Sequence, residues 1–318
     1  MSGLIDRVRR TKKKIVFPEG SDPRVIDAAA RLAQQGILEP ILIGTPTGGT
    51  PQGVTVIDPA SSPLATKYAA IYYDRRRAKG ITQVEAGQIA RRPLYFAALM
   101  VAAGDADGSV GGAVNTTAET VRAALQAIGP SPGARIVSSV FIMAVHNRNA
   151  GHNGLLAFAD CAIMIEPTPS QLAEIAIASG ESTRVLIGAE PAVALLSFST
   201  KGSGKHKQVD QVVEALRIVR ERAPQLHVDG ELQADAALDA AVGRSKAPGS
   251  TVAGRANTLI FPNLASANIG YKLVERLGDA SAIGPFLQGL AKPANDLSRG
   301  CSTDDVFNTA VVTAIQSP

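Results

Sequence analysis

The sequence predicts an α/β protein built as two packed lobes, and three observations carry that prediction. Its 318 residues exceed what one hydrophobic core usually serves. Short β-branched runs alternate with capped segments of helical period from one end to the other. A composition of 45% hydrophobic and 19% charged residues suits a well-buried globular enzyme rather than a disordered or coiled chain.

The elements follow in order. KKIVFPEG (13–20) is a β-branched run stopped by Pro-Glu-Gly, and DPRVIDAAARLAQQG (22–36) is a helix with an aspartate cap and a glycine stop. EPILIG (39–44) and GVTVID (53–58) continue the rhythm of a parallel βαβ sheet with helices on both faces. Helical segments are expected over 63–79, 82–91 and 93–103, and ADGSVGGAVNTTAETVRAALQAIG (106–129) gives a Gly-rich strand, a polar turn and a helix. A second alternation runs from ARIVSSVFIMAV (134–145) through strands at 156–165 and 191–200 and helices at 168–188 and 207–224. A strand-then-helix step at 256–278, the run AIGPFLQGL (282–290) and a last helix complete it. One lobe is therefore expected over 1–140 and 288–318, closed by the C-terminal helix, and the other over 141–287. No internal repeat of fixed period is seen.

Composition excludes several classes. RVRRTKKK (7–14) holds six of the positive charges behind a net charge of +4, so the remainder carries −2 and lacks a basic footprint for nucleic acid. With 4% aromatic residues and no tryptophan, stacking platforms for single strands are few. The apolar run LYFAALMVAA (94–103) is about half the length that crosses a bilayer. No signal peptide core opens the chain, and the expected location is cytoplasmic. Cys161 and Cys301 form no CxxC pattern, which argues against a disulfide scaffold or structural zinc, and Cys301 reads as a small buried side chain.

Several motifs are weak. KGSGKHK (201–207) lacks Walker spacing, and His206 stands where Ser or Thr would hold magnesium. No GxGxxG opens a helix after a strand. DGELQADAALD (229–239) offers carboxylates to a cation, but a solvated helix start explains them as well. His146, His152, His206 and His227 lie in no metal or GxSxG context.

NDLSRGCSTDD (295–305) is different. Ser302 and Asp305 have capping-box spacing ahead of Phe307, Ala310, Val311 and Ala314, which share one helix face. Ser298-Arg299-Gly300 just before it adds an arginine fork to a helix N-terminus, and both attract phosphate.

These stretches, with FPEGSDPRVIDAA, RPLYFAALM, GAVNTTAETVRAALQ, FADCAIMIEPTPSQLAEIA, LSFSTKGSGKH and KAPGSTVAGRANTLIFPNLASANIGYKLV, follow in order over nearly the whole chain. Together they resemble the phosphate acetyl/butyryl transferase family. The resemblance implies a homodimer of two α/β/α lobes, similar to the isocitrate and isopropylmalate dehydrogenase fold, with the active site in the interlobe cleft. It implies interconversion of acetyl-CoA plus phosphate with CoA plus acetyl phosphate by direct attack of the CoA thiolate. Coenzyme A is then a substrate, and no cofactor or metal is required.

The matching positions imply roles. Asp305 is the general base, Ser298 steadies the thiolate or carbonyl oxygen, and Arg299 holds phosphate. Arg76, between Arg75 and Arg77, and Arg122 bind substrate, while Thr116, Asn268, Tyr271 and Lys272 line the phosphate or acyl pocket. A thiol of ordinary pKa about 8.5 needs a base stronger than an aspartate near 3.9, so burial is expected to raise Asp305, against the pull of the helix N-terminus. Asn115 departs from the histidine the family often has there, and Ala144–Gly154 departs from its acidic, Gly-rich loop. A propionyl or butyryl substrate, a non-catalytic acetyl-CoA-sensing module, and a metal-dependent dehydrogenase of similar fold are the alternatives. The last of these lacks its fingerprints.

Overall fold

The computed structural model describes residues 2–317. Internal contacts divide the chain into two units, Met1–Gly133 with Leu290–Pro318, and Ala134–Gly289. The sequence pattern alone places these junctions at 140/141 and 287/288. The observed junctions leave the strands Ser138–Ala144 and Ser281–Gln288 whole within the second unit.

The first unit runs α1 (Ser2–Arg9), β1 (Lys14–Phe17), α2 (Pro23–Gln34), β2 (Glu39–Ile43), β3 (Thr55–Ile57), α3 (Leu64–Arg76), α4 (Gln83–Ala90), α5 (Pro93–Ala103), β4 (Gly108–Gly111) and α6 (Thr117–Ala127). The second holds β5 (Ser138–Ala144), β6 (Leu155–Ala159), α7 (Pro169–Ser182), β7 (Ala192–Leu196), α8 (Lys207–Arg222), β8 (His227–Leu232), α9 (Ala234–Leu238), α10 (Ala240–Lys246), β9 (Thr258–Ile260), α11 (Leu264–Leu277) and β10 (Ser281–Gln288). The chain then returns to the first unit as β11 (Ala294–Asp296) and α12 (Thr303–Gln316).

In the first unit the order β11-β4-β1-β2-β3 is parallel throughout. Successive side chains of a strand face opposite ways, and β1 shows it. Ile15 and Phe17 pack with Val25, Ala28 and Leu32 of α2 and Val306, Phe307 and Ala310 of α12. Val16 packs on the other face with Tyr68, Tyr72, Phe96 and Leu99. Helices on both faces explain why the strands read as unbroken apolar runs. Local chemistry starts the helices where expected. Asp22 caps α2 with Pro23 in its first turn, Thr82 and Glu85 form a capping box on α4, and Gly104 at φ 83 stops α5.

The second unit's sheet, β10-β5-β6-β9-β7-β8, is mixed: β10, β5 and β6 pair antiparallel, and β6, β9, β7 and β8 pair parallel. Two sequence-level expectations change here. The stretch 156–165 is a strand only to Ala159, after which the Asp160 carboxylate accepts bonds from the Ala162, Ile163 and Met164 amides and turns the chain. Asp229 and Glu231 do not open a solvated helix but lie in β8, 5% and 4% exposed. Their burial is offset by Lys201 Nζ and Ser250 Oγ, 2.6 and 2.5 Å from Asp229, and by Ser199 Oγ and the Gly202 amide, 2.9 and 2.7 Å from Glu231. The loop KGSGKHK is thereby accounted for: it ties down two buried carboxylates, and His206 Nδ1 accepts from the Gln208 amide at the start of α8.

Candidate active site

Two loops of the first unit converge. One follows β4 and runs through Gly112–Thr116 into α6; the other follows β11 and runs through Ser298–Ser302 into α12. Both helices begin with a capping box. Thr116 Oγ1 accepts from the Glu119 amide while Glu119 bonds back to Thr116, and Ser302 and Asp305 do the same for α12. The S-x-x-D spacing in the sequence is thus a cap in the structure.

Beneath these loops lie two carboxylates. Glu19, in the turn after β1, accepts from the Ala113 amide at 2.7 Å, the Val114 amide at 2.9 Å, and the Asn115 amide and side chain at 2.8 and 2.7 Å. Asn115, which departs from the family's frequent histidine, is therefore an anchor of this turn. Asp296, 1% exposed, accepts from Thr117 Oγ1 at 2.6 Å through Oδ2, and its Oδ1 has no hydrogen bond among the described residues. Burial pushes Asp296 up to about 6, against the Thr117 and Thr120 hydroxyls, and the Glu19 charge adds to the rise. Gly112 covers Oδ1 at φ +104, where a Cβ would fall 2.3 Å from that oxygen, so both conformation and space demand glycine.

Arg24, in the first turn of α2, reaches both loops, donating to the carbonyls of Ala113, Arg299 and Cys301. Around the helix mouths Ser298, Arg299, Arg122 and Asp305 are exposed. The Thr116 amide and hydroxyl hold the Glu119 carboxyl below the usual carboxylate range, and the Arg122 and Arg299 charges add to this. Burial pushes the Cys301 thiol up; the Asp305, Asp22 and Glu19 carboxylates act the same way, against the Arg24 charge. Cys301 is a packed side chain, as its sequence context suggested.

Asp305 differs from expectation in one respect. It is exposed rather than buried, because its place at the start of α12 turns it outward. Its Oδ2 accepts from the Ser302 amide and hydroxyl, each at 2.8 Å, while Oδ1 makes no hydrogen bond among the described residues. One oxygen serves the cap and the other is available to a proton. The Ser298 hydroxyl oxygen accepts from the Gly300 amide at 3.2 Å, which leaves its O–H to donate elsewhere.

Thr116 is engaged in its cap, with Oγ1 donating to Glu119 at 2.7 Å. Arg76 lies apart from the loops, in a cavity of about 430 Å³ that it shares with Tyr72, Lys79, Ile81, Ile89 and Arg92. It is half-buried between exposed Arg75 and Arg77, which singles it out of the three. Tyr72 Oη donates to Gln126 Oε1 at 2.6 Å, one helical turn along α6 from Arg122. Asn268, Tyr271 and Lys272 lie in the second unit on α11. There Asn268 Nδ2 donates to the Cys161 carbonyl at 3.3 Å, and Tyr271 stacks on Phe141 at 4.5 Å with Lys272 Nζ 5.8 Å over its ring. Glu19, Arg24 and Asp296 are not marked by the sequence, because their partners lie in distant stretches of the chain. Among the described residues no group of three or more His, Cys, Asp or Glu is placed to hold a metal ion, and no helix is long and apolar enough to cross a membrane.

Comparison with known proteins identifies the family. The family described as phosphate acetyl/butaryl transferase matches residues 1–314. A phosphate acetyltransferase of Paracoccus denitrificans is 49% identical over 317 residues, spanning 98% of this chain and 99% of that protein. One of Acetivibrio thermocellus is 46% identical over 321 residues, spanning 99% and 97%. The crystal structure of a phosphotransacetylase from Streptococcus pyogenes superposes with a TM-score of 0.93 at 46% identity, covering 99% of this chain and 97% of that one. With a match over nearly its whole length and relatives this similar, the chain belongs to the phosphate acetyl/butyryl transferase family.

Proposed function

We propose that this chain is a phosphate acetyltransferase, interconverting acetyl-CoA and phosphate with CoA and acetyl phosphate. The observation that carries the site assignment is the joining of the two loops by Arg24, which holds the starts of α6 and α12 to a common fork, with Arg299 in the loop ahead of α12, Arg122 on α6, and one oxygen of Asp305 without a hydrogen bond among the described residues. In this proposal the two guanidiniums and the two helix N-termini attract an anion, and the Asp305 carboxylate gives a proton somewhere to go.

In this reading Arg299 and Arg122 neutralise the phosphate of acetyl phosphate. Asp305 Oδ1 takes the thiol proton of CoA, because the thiolate is the nucleophile. Sulfur forms its bond to the acetyl carbon, the carbon–oxygen bond to phosphate breaks, and Asp305 returns the proton to the departing phosphate. Ser298 Oγ donates to the thiolate or to the carbonyl oxygen as charge gathers there. The cavity of Arg76, Lys79 and Arg92 takes a phosphorylated part of CoA. Thr116 acts through the helix it caps, and Asn268, Tyr271 and Lys272 serve the acyl or phosphate pocket. The arginines supply the charge, so no resident cofactor is required. Buried free thiols at Cys161 and Cys301 suit a cytoplasmic location. A second copy of the chain is the proposed partner, and α11 offers it Ile269, Leu273 and Leu277, exposed by 59%, 52% and 83% at i, i+4 and i+8.

The test is acetyl-CoA formation from CoA and acetyl phosphate by the wild type, Asp305→Asn and Arg299→Ala, with propionyl and butyryl phosphate in parallel. A robust wild-type rate that collapses in both folded variants supports the assignment. A faster rate with a longer acyl phosphate moves the substrate along the series, where each methylene is worth about 1–3 kcal/mol. Binding of acetyl-CoA without turnover points to a sensing module instead.

A further inference from the structure

The geometry points to Arg24 as a positioning residue for the transfer, resting on the reaction proposed above: it locks the Ser298–Ser302 loop to the Gly112–Thr116 loop so that Arg299 and Asp305 stand where they act.

A guanidinium has five N–H donors in a fixed plane. Arg24 uses them on five separate contacts. Nε donates to Asp22 Oδ1 at 3.0 Å and Nη2 to Asp22 Oδ2 at 2.8 Å. Nη2 also donates to the Ala113 carbonyl at 2.7 Å, while Nη1 donates to the carbonyls of Arg299 at 2.8 Å and Cys301 at 3.0 Å. With its donors so engaged, Arg24 has none to offer a substrate phosphate, unlike exposed Arg122 and Arg299. Its influence on the reaction runs through main chain.

The fork is itself held. Asp22 pairs with it in two-point fashion and at the same time caps α2 by accepting from the Arg24 amide at 2.9 Å, so the guanidinium is anchored to the rigid start of a helix. The Ala113 peptide is gripped from both sides, its carbonyl by Arg24 and its amide by Glu19 at 2.7 Å. Fixing the Arg299 carbonyl sets the direction in which its side chain leaves the backbone, and fixing that of Cys301 sets the step before the Ser302 cap of Asp305. A lysine cannot reproduce this, because one ammonium cannot bridge three carbonyls and a carboxylate in a plane.

The experiment compares wild type, Arg24→Ala and Arg24→Lys in the acetyl phosphate assay and by amide hydrogen exchange. Far-UV circular dichroism serves as the folding control. The expected result is a fall in kcat of about 100-fold in Arg24→Ala, the scale set by small misplacement of reacting groups, with KM for CoA and acetyl phosphate changing far less. Guanidinium chloride well below denaturing concentration restores part of kcat, equal sodium chloride does not, and Arg24→Lys recovers little. The Ala113 and Cys301 amides exchange faster in both variants. A kcat that stays near wild type overturns the proposal, as does a loss lying mainly in KM or one indifferent to guanidinium. Should Arg24→Ala fail to fold, Arg24→Lys, which keeps a charge beside Asp22, carries the same comparison. A wild type without turnover refutes the transfer reading itself. In that case the exchange data decide on the clamp alone, and unchanged protection at Ala113 and Cys301 in the variants overturns it.

Discussion

Replacing Asp296 by asparagine isolates what a buried carboxylate costs this fold. The side chain is 1% exposed, and burial raises it from the ordinary 3.8 to about 6. A carboxyl whose folded value lies above its unfolded value holds its proton more tightly in the folded state. Its contribution is therefore most favourable below 3.8 and is lost as pH rises through 6. At about 1.4 kcal/mol per pH unit, the full cost above that range is about 3 kcal/mol. Asparagine stays neutral, keeps an oxygen for Thr117 Oγ1, and places an amide where Oδ1 sits against Gly112. Whatever that amide costs or gains does not titrate and so does not change with pH. The assay is urea unfolding of both proteins from about pH 4 to about pH 8, where the stability of Asp296→Asn relative to wild type should rise by about 2.5 kcal/mol, the remainder of the full cost lying below about pH 4. Stability curves that run parallel for the two proteins across that range would refute the reasoning, because they would mean that Asp296 ionises as easily folded as unfolded.

Three other outcomes are expected. Gly112→Ala should lower thermal stability by more than about 3 kcal/mol, since the residue would need φ +104 and its Cβ would press on Asp296 and on Leu297, whose backbone lies 2.7 Å away. Ser302→Ala should cost about 0.5–2 kcal/mol in denaturant unfolding by removing the α12 cap, and should slow turnover less than Asp305→Asn because the carboxylate remains. Leu273→Asp, in the middle of the exposed stripe on α11, should shift the protein toward monomer in sedimentation velocity; an unchanged dimer would place the partner surface elsewhere.

Local rules made much of this molecule legible in advance. The α12 cap could be taken from Ser302 and Asp305 alone, and α2 from Asp22, Pro23 and the apolar period after them, because capping acts within one turn. The resemblance supplied Arg299, Arg122 and Arg76, and the structure separates Arg76 from its two neighbours by exposure. What stayed hidden depends on contacts between distant stretches. Glu19 meets residues 113–115, Arg24 meets 299 and 301, and Asp296 meets Thr117; nothing in the spacing of any one segment marks them. The carboxylates of β8 misled for the same reason. Asp229 and Glu231 look like solvated charges until Lys201, Ser199 and Ser250 arrive from elsewhere in the chain.

The order of strands in the first sheet has a meaning for biosynthesis. β4 waits for β11, and the face of β1 waits for α12, yet the whole second unit is translated between them. A ribosome making this chain therefore exposes a sheet with an open edge and an uncovered apolar face while residues 134–289 emerge and fold. The unit begun first is completed last. Ser298, Arg299 and Asp305 belong to the segment that closes it, so the proposed anion site can assemble only once that segment has docked.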